Sequence, residues 1–217
     1  MNKIVTIVDY GMGNLLSVTR AVAHCGARPR ITEGADDVAK AEWLILPGVG
    51  AFADGMAGLR QRGMVEALTD YAAKGRPLLA ICLGMQMLLD ESEEFGPCKG
   101  LGIVPGRVEA IPATSGDGTP HKVPHIGWAD LRLPEDAVNG DWSGTVLKGL
   151  EAGVSTYFVH SFTAMPESPR HRLADADYNG RRIAAAIHRD NVYGTQFHPE
   201  KSGPAGLRIM DNFLTLE

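Results

Sequence analysis

The sequence predicts an α/β fold: a single domain over residues 1–217, with an open, mostly parallel sheet, helices on both faces and a β-rich second half. Three observations predict it. Short apolar runs alternate with stretches of helical spacing through the first half, the pattern of a parallel sheet wound on both faces. Runs such as Trp43–Leu46 and Leu78–Ile81 read as buried strands. From about Gly102 the texture changes, and prolines and glycines cut the chain into short strand-like pieces.

In order, Lys3–Asp9 reads as a strand, and Asn14–Cys25 as a helix with Asn14 as N-cap and Gly26 at its C-terminal end. A strand near Arg28–Thr32 and a poorly marked helix around Asp36–Lys40 follow. Trp43–Leu46 runs into Pro47-Gly48-Val49-Gly50. Helical spacing occupies Phe52–Arg62 and Met64–Lys74, stopped by Gly75, before the strand Leu78–Ile81. Farther on, Ser155–Phe162, Arg172–Asp177 and Arg182–His188 read as strands. The last of these turns through Asp190-Asn191 into Val192–Phe197 as a hairpin, and Ala205–Leu214 closes the chain as a helix. No internal repeat, low-complexity tract or flexible linker interrupts this order.

Composition narrows the function classes. A chain of 217 residues can bury a sizeable core. Its net charge of −5 and pI near 5.8, with no Lys/Arg cluster, argue against a nucleic-acid partner. No apolar run approaches membrane-spanning length, and Met1-Asn2-Lys3 ahead of the first strand is too short for a signal peptide. Cys25, Cys82 and Cys98 are odd in number and lack metal-ligand spacing, as expected of a reducing cytoplasm.

Ligands of open parallel sheets bind outside the carboxyl ends of the strands. The segments "YGMGN", "PGVGAF" and "CLGMQ", which follow Asp9, Leu46 and Ile81, are therefore expected to share one crevice. In Ala80-Ile81-Cys82-Leu83-Gly84 a thiol sits where a buried strand turns into a helix, flanked by small residues. That is the logic of a nucleophile elbow. A helix N-terminus favours thiolate, and the Leu83 N–H is placed to help bind an oxyanion. The plainer reading, a buried core cysteine, suits Cys25 and Cys98 better than Cys82.

A thiolate needs a base, and the base needs an orienter. "TQFHPEK" supplies both, with His198 ending a strand, Pro199 restricting it to extended backbone and Glu200 two residues on. Taken alone, His198 could equally be a surface residue. His24, His121, His125, His160, His171 and His188 lack such a neighbour and read as packing or surface residues, none with metal-ligand spacing. "LPGVGAF" could be a phosphate cradle, a bare turn or half of an oxyanion hole. Without Gly-Lys-Ser/Thr it is not a P-loop. "YGMGNLL" has Leu16 where a dinucleotide fingerprint needs its third glycine.

"PGVGAF", "CLGMQ" and "HPEKS" occur here in the order and contexts of the class I (triad) glutamine amidotransferases, which the chain resembles over about residues 3–214. Within them, "IVDYGMGNLLSV", "PHIGW", "YFVHSF" and "GTQFHPEKSGPAGLRIMDNFL" are most similar to the glutaminase subunits of imidazole glycerol phosphate synthases. The resemblance implies that Cys82 attacks the carboxamide of L-glutamine, that His198 relays protons and that Glu200 orients His198. Leu83, Val49 and Gly50 would form the oxyanion hole. Gln86, Glu94, Ser161 and Phe162 would hold glutamine, Gln86 lying one helical turn beyond Cys82.

The resemblance further implies no cofactor and no metal. It implies a heterodimer with a (β/α)₈ cyclase subunit, which uses the ammonia to make imidazole glycerol phosphate and aminoimidazole carboxamide ribotide in histidine biosynthesis. Asn14 and Trp128 would face that partner, against the plainer readings of an N-cap and a core or rim tryptophan. Phe162 stands where relatives often carry tyrosine, and the Ile111–Lys122 loop is longer than a minimal connection. Three alternatives stay open: a class I glutaminase serving an anthranilate, aminodeoxychorismate or GMP synthase; a cysteine peptidase-like hydrolase; and a non-catalytic interaction module.

Overall fold

Consecutive apolar positions in a strand must point to opposite faces, so a sheet made of such strands needs cover on both sides. The computed structural model, described here for residues 3–135 and 141–216, provides that cover. Its elements run β1 (Ile4–Val8), α1 (Leu15–His24), β2 (Arg28–Thr32), α2 (Ala35–Lys40), β3 (Trp43–Gly48), α3 (Phe52–Gln61), α4 (Met64–Ala73), β4 (Leu78–Cys82) and α5 (Leu83–Met87). Then come β5 (Glu91–Ser92), β6 (Cys98–Lys99), β7 (Gly106–Ala110), β8 (His125–Arg132), β9 (Ser155–His160) and β10 (Phe162–Pro166). β11 (Arg172–Tyr178), β12 (Arg181–Arg189), β13 (Val192–Thr195) and α6 (Gly203–Leu214) complete the chain.

The main sheet has the order β2-β1-β3-β4-β13-β12-β11-β8-β9. β2, β1, β3, β4 and β13 are parallel, and β12, β11, β8 and β9 extend the sheet antiparallel. Val5, Ile7, Ile45, Leu79 and Ile81 face α1 and α6, whose Val18, Val22, Ile209 and Phe213 complete one core. Val8, Leu44, Leu46, Leu78 and Ala80 face the opposite way and are covered by Val38, Phe52, Leu59, Leu68 and Leu83 from α2–α5. A second sheet, β10-β7-β5-β6, joins β7 and β10 of the β-rich half to the short β5 and β6 that precede it.

The expected elements are present with small shifts at their ends, and one is divided. The stretch 155–162 is two strands: β9 pairs with β8 in the main sheet, and β10 pairs with β7 in the second. The chain changes sheets at Ser161, leaving His160, Ser161 and Phe162 at the junction. The Asp190-Asn191 hairpin forms as expected, with Arg189 opposite Val192. Asn14 precedes α1, and its backbone carbonyl accepts from the Val18 N–H, but its side chain does not cap the helix. Its ψ of 60° lies outside the extended conformation usual for an N-cap, and its amide is engaged elsewhere.

The Ile111–Lys122 loop folds on itself, with the Ser115 hydroxyl bonded to Asp117 at 2.5 Å and a bridge between Thr114 and Pro120. It packs so tightly on the Asn179-Gly180 turn that a Cβ on Gly116 would lie 2.6 Å from the Gly180 oxygen. Among the described residues no helix is long and apolar enough to cross a membrane.

Candidate active site

The three loops expected at the carboxyl ends of β1, β3 and β4 do meet. A Cβ on Gly50 would lie 2.5 Å from the Met12 side chain, and one on Gly48 would lie 2.4 Å from the Tyr10 hydroxyl and 2.8 Å from the Gly84 nitrogen. Only glycine permits these approaches. Tyr10 is buried with its hydroxyl unpartnered, and burial, then the charges of Cys82 and Asp9, push its pKa upward.

Cys82 ends β4 with φ +53° and ψ −109°, a conformation that costs a non-glycine residue about 1–3 kcal/mol. By strict alternation its side chain would join those of Leu78 and Ala80. The reversal instead packs it with the Leu79 and Ile81 cluster. The turn requires small neighbours: a Cβ on Gly84 would lie 2.0 Å from the Leu46 carbonyl oxygen. This is the elbow the flanking residues predict. Cys25 and Cys98 are half-buried free thiols away from it, Cys25 lying 3.5 Å from the Leu207 carbonyl.

His198 lies three residues beyond the end of β13 at Thr195, whereas the sequence suggested that it ends the strand. Its position is fixed by neighbours instead: its N–H donates to the Tyr157 carbonyl at 3.0 Å, and the Ser202 hydroxyl donates to its carbonyl at 2.7 Å. Ser202 also accepts the Tyr157 N–H at 3.0 Å, stitching the His-Pro-Glu turn to β9. Its Nδ1 bonds Glu200 Oε1 at 2.9 Å, with both side chains almost wholly buried. The same oxygen accepts the Asn14 amide at 3.2 Å. Asn14 thus supports the carboxylate rather than the helix.

Glu200 Oε2 and His198 Nε2 are buried without hydrogen-bond partners. Since the Nδ1–H goes to the carboxylate, a neutral ring leaves Nε2 as its basic atom. Burial works against the imidazolium, but attraction from Cys82 and Glu200 outweighs it and holds the His198 pKa up at about 9.

Cys82 and His198 line one cavity of about 300 Å³ with Val49, Gly50, Leu83, Gln86, Glu94, Ser161 and Phe162. Every residue assigned to the triad, the oxyanion hole or glutamine holding thus reaches this space, except Glu200, which backs His198. Glu94 also serves the scaffold, its Oε2 accepting the Phe52 N–H at the start of α3 at 2.7 Å. Gln86 Nε2 donates to the Phe162 carbonyl at 3.1 Å and to Gln196 Oε1 at 2.9 Å. Both its N–H groups are consumed, so the hydrogen-bonding atom it has left is a carbonyl oxygen.

Two groups at the site were not singled out by the sequence. Gln196 is fully buried, with its Nε2 3.6 Å from Cys82 Sγ. His160, read as a packing or surface residue, lines the cavity instead. Its Nδ1 bonds the Phe162 carbonyl at 2.7 Å and its Nε2 bonds His125 Nδ1 at 3.0 Å. A carbonyl only accepts, so His160 Nδ1 carries the proton, and His125 donates to its Nε2. Burial, above all, pushes both rings down to about 4. His125 is sandwiched between Phe158 and Tyr178. A polar residue inside the run "VYGTQF" was the available signal for Gln196; His160 and His125 carried none, since they are far apart in sequence. Trp128 is 58% exposed beside the 60% exposed Ile126, so its core reading fails.

A family model described as "Glutamine amidotransferase class-I" matches residues 6–216. The chain is 48% identical to an imidazole glycerol phosphate synthase subunit HisH 1 of Legionella pneumophila, covering 98% of this chain and 99% of that one. It is 47% identical to the HisH subunit of Syntrophotalea carbinolica, covering 96% and 98%. Two solved structures share the fold: PurLQS from Thermotoga maritima (TM-score 0.71, 20% identity, 99% and 98% covered) and a glutamine amidotransferase (TM-score 0.72, 18% identity, 97% of each). A strained cysteine, a buried histidine–carboxylate couple and near-full-length relatives agree: the chain belongs to the class I glutamine amidotransferase family, among the HisH subunits of imidazole glycerol phosphate synthase.

Proposed function

We propose that this chain hydrolyses L-glutamine at Cys82 and passes the ammonia to a (β/α)₈ cyclase subunit, as one half of an imidazole glycerol phosphate synthase. The observation that carries the reading is His198, backed by the buried Glu200, sharing one cavity with a cysteine held at φ +53°. The Cys82 thiolate attacks the carboxamide carbon, forming a C–S bond and a tetrahedral oxyanion. The N–H groups of Leu83 and of the Val49-Gly50 turn hold that oxyanion. The intermediate collapses, the C–N bond breaks, and the His198 imidazolium gives its proton to the departing ammonia. Water then attacks the thioester while His198 Nε2 takes its proton, releasing glutamate and the thiol. Glu200 keeps the ring in the tautomer both steps need.

Gln86, Glu94, Ser161 and Phe162 hold the amino-acid part of glutamine, and the carbonyl oxygen of Gln86 suits a donor such as its ammonium or amide. The exposed Trp128 and Ile126 on β8, with Asn14 behind Glu200, form the side that meets the cyclase. The cyclase uses the ammonia to make imidazole glycerol phosphate and aminoimidazole carboxamide ribotide. The chain works as one glutamine amidotransferase domain in the cytoplasm, a reading supported by its three free cysteines. An electrophilic diazoketone analogue of glutamine tests the site. It should label the Cys82 peptide, with protection by glutamine; labelling of Cys25 or Cys98 alone would refute the assignment.

A further inference from the structure

The direction of every hydrogen bond around Gln196 is fixed by one atom. The Phe162 carbonyl can only accept, so Gln86 must present Nε2 to it, at 3.1 Å. The second hydrogen on that nitrogen goes to the neighbouring amide at 2.9 Å, and the atom receiving it must be Gln196 Oε1. Gln196 is therefore left with Nε2 facing the Cys82 sulfur at 3.6 Å, in a position with no access to solvent. Flipping the Gln86 amide would set two acceptors against each other, and flipping that of Gln196 would set two donors against each other. A sulfur accepts a hydrogen bond better as thiolate than as thiol, and a donor to the charged form favours ionisation.

We propose that Gln196 is a positioning residue that holds the Cys82 sulfur through its side-chain N–H, favours the thiolate, and ties the nucleophile to Gln86. The inference rests on Cys82 being the nucleophile of a glutaminase, and it deepens that assignment. The thiol form has a weaker anchor, the Val159 carbonyl at 3.9 Å, which only an S–H can use. Losing the proton thus frees the sulfur from Val159 and strengthens its hold on Gln196. The Gln86–Gln196 pair joins the cavity wall to the sulfur with no mobile group between them.

The test is the pH dependence of Cys82 alkylation by iodoacetamide in the full chain, read on the Cys82 peptide so that Cys25 and Cys98 do not contribute. It needs neither glutamine nor a partner subunit. Gln196→Met keeps the length and removes the N–H, and Gln196→Glu keeps the shape and sets an acceptor against the sulfur. Both should move the alkylation midpoint up, by about one pH unit for Met, with about tenfold slower labelling below it. The Glu variant keeps the test open if the Met variant does not fold. A midpoint equal to that of the unaltered chain in the folded variants would overturn the role, whatever the glutaminase assay shows. If the midpoint moves and the unaltered chain releases no glutamate even with a cyclase bound, the thiolate-holding role stands and the proposed function fails.

Discussion

Replacing Glu200 by glutamine isolates the charge of the couple from its geometry. Glu200 Oε1 accepts from both His198 Nδ1, at 2.9 Å, and the Asn14 amide, at 3.2 Å, whereas Oε2 has no partner. The variant's amide oxygen can keep both bonds, with its NH₂ where Oε2 stood, so the ring should hold its place. What disappears is a negative charge beside a ring whose pKa is held up from 6.5 to about 9 by Cys82 and Glu200 against the cost of burial. An opposite charge at this range accounts for about 1–3 pH units, and because Cys82 keeps its share of the rise, losing Glu200 should remove about one to two of them and bring the midpoint to roughly 7–8. At 1.36 kcal/mol per unit, one to two units is about 1.4–2.7 kcal/mol of lost imidazolium stabilisation.

Since the tetrahedral intermediate needs the imidazolium to release ammonia, kcat/KM should drop about 10–100-fold. Two readouts check this: the ¹³C shift of the labelled His198 ring against pH, and steady-state glutamate release with the cyclase bound. The comparison is between matched curves of the variant and the unaltered chain. A midpoint that stays near 9, or activity within about twofold of the unaltered chain, would refute the reasoning.

Further outcomes follow from the same structure. Gly84→Ala places a Cβ 2.0 Å from the Leu46 carbonyl and should cost about 1–3 kcal/mol or more in urea unfolding, with loss of Cys82 labelling by the glutamine analogue. Stability should peak near pH 6.5. The raised His198 pKa contributes stability that is full below 6.5 and lost as pH rises through about 9. The depressed pKa values of His125 and His160 contribute stability that is lost as pH falls from 6.5 through about 4. Melting temperatures across that range check the dome; a curve still rising above pH 9 would contradict it. Trp128→Ala should leave stability within about 0.5 kcal/mol, because the ring is exposed, and should weaken association with the cyclase in a titration.

The parallel half was legible because its physics is local. A strand buried on both faces is an unbroken apolar run, Gly26 and Gly75 stop their helices, and a cysteine between Ala80 and Gly84 at a strand end has few other uses. The chain beyond α5 hides its logic in pairing. β5 and β6 are two residues each, too short for any periodicity, and 155–162 looked continuous because the sheet change at Ser161 costs no apolar residue. The β8 strand, with its partly exposed face, follows prolines and glycines that cut this part of the chain into short strand-like pieces and blur its limits.

The site divides the same way. Cys82, His198 and Glu200 have sequence neighbours that constrain them, so their roles could be argued before the fold. The His125–His160 pair spans 35 positions, and Gln196 meets Cys82 across 114, contacts that only the strand order creates. Asn14 shows the limit of a local rule, for a residue at the cap position spends its side chain on a carboxylate 186 positions away.

The central claim is that Cys82 hydrolyses glutamine for a bound cyclase. Its most direct test is glutamate release from glutamine, by the chain alone and mixed with a (β/α)₈ cyclase and its ribonucleotide substrate, with Cys82→Ala as control. The account predicts strong release in the mixture and its loss in the control. Release that is indifferent to the cyclase, or that survives Cys82→Ala, would contradict it.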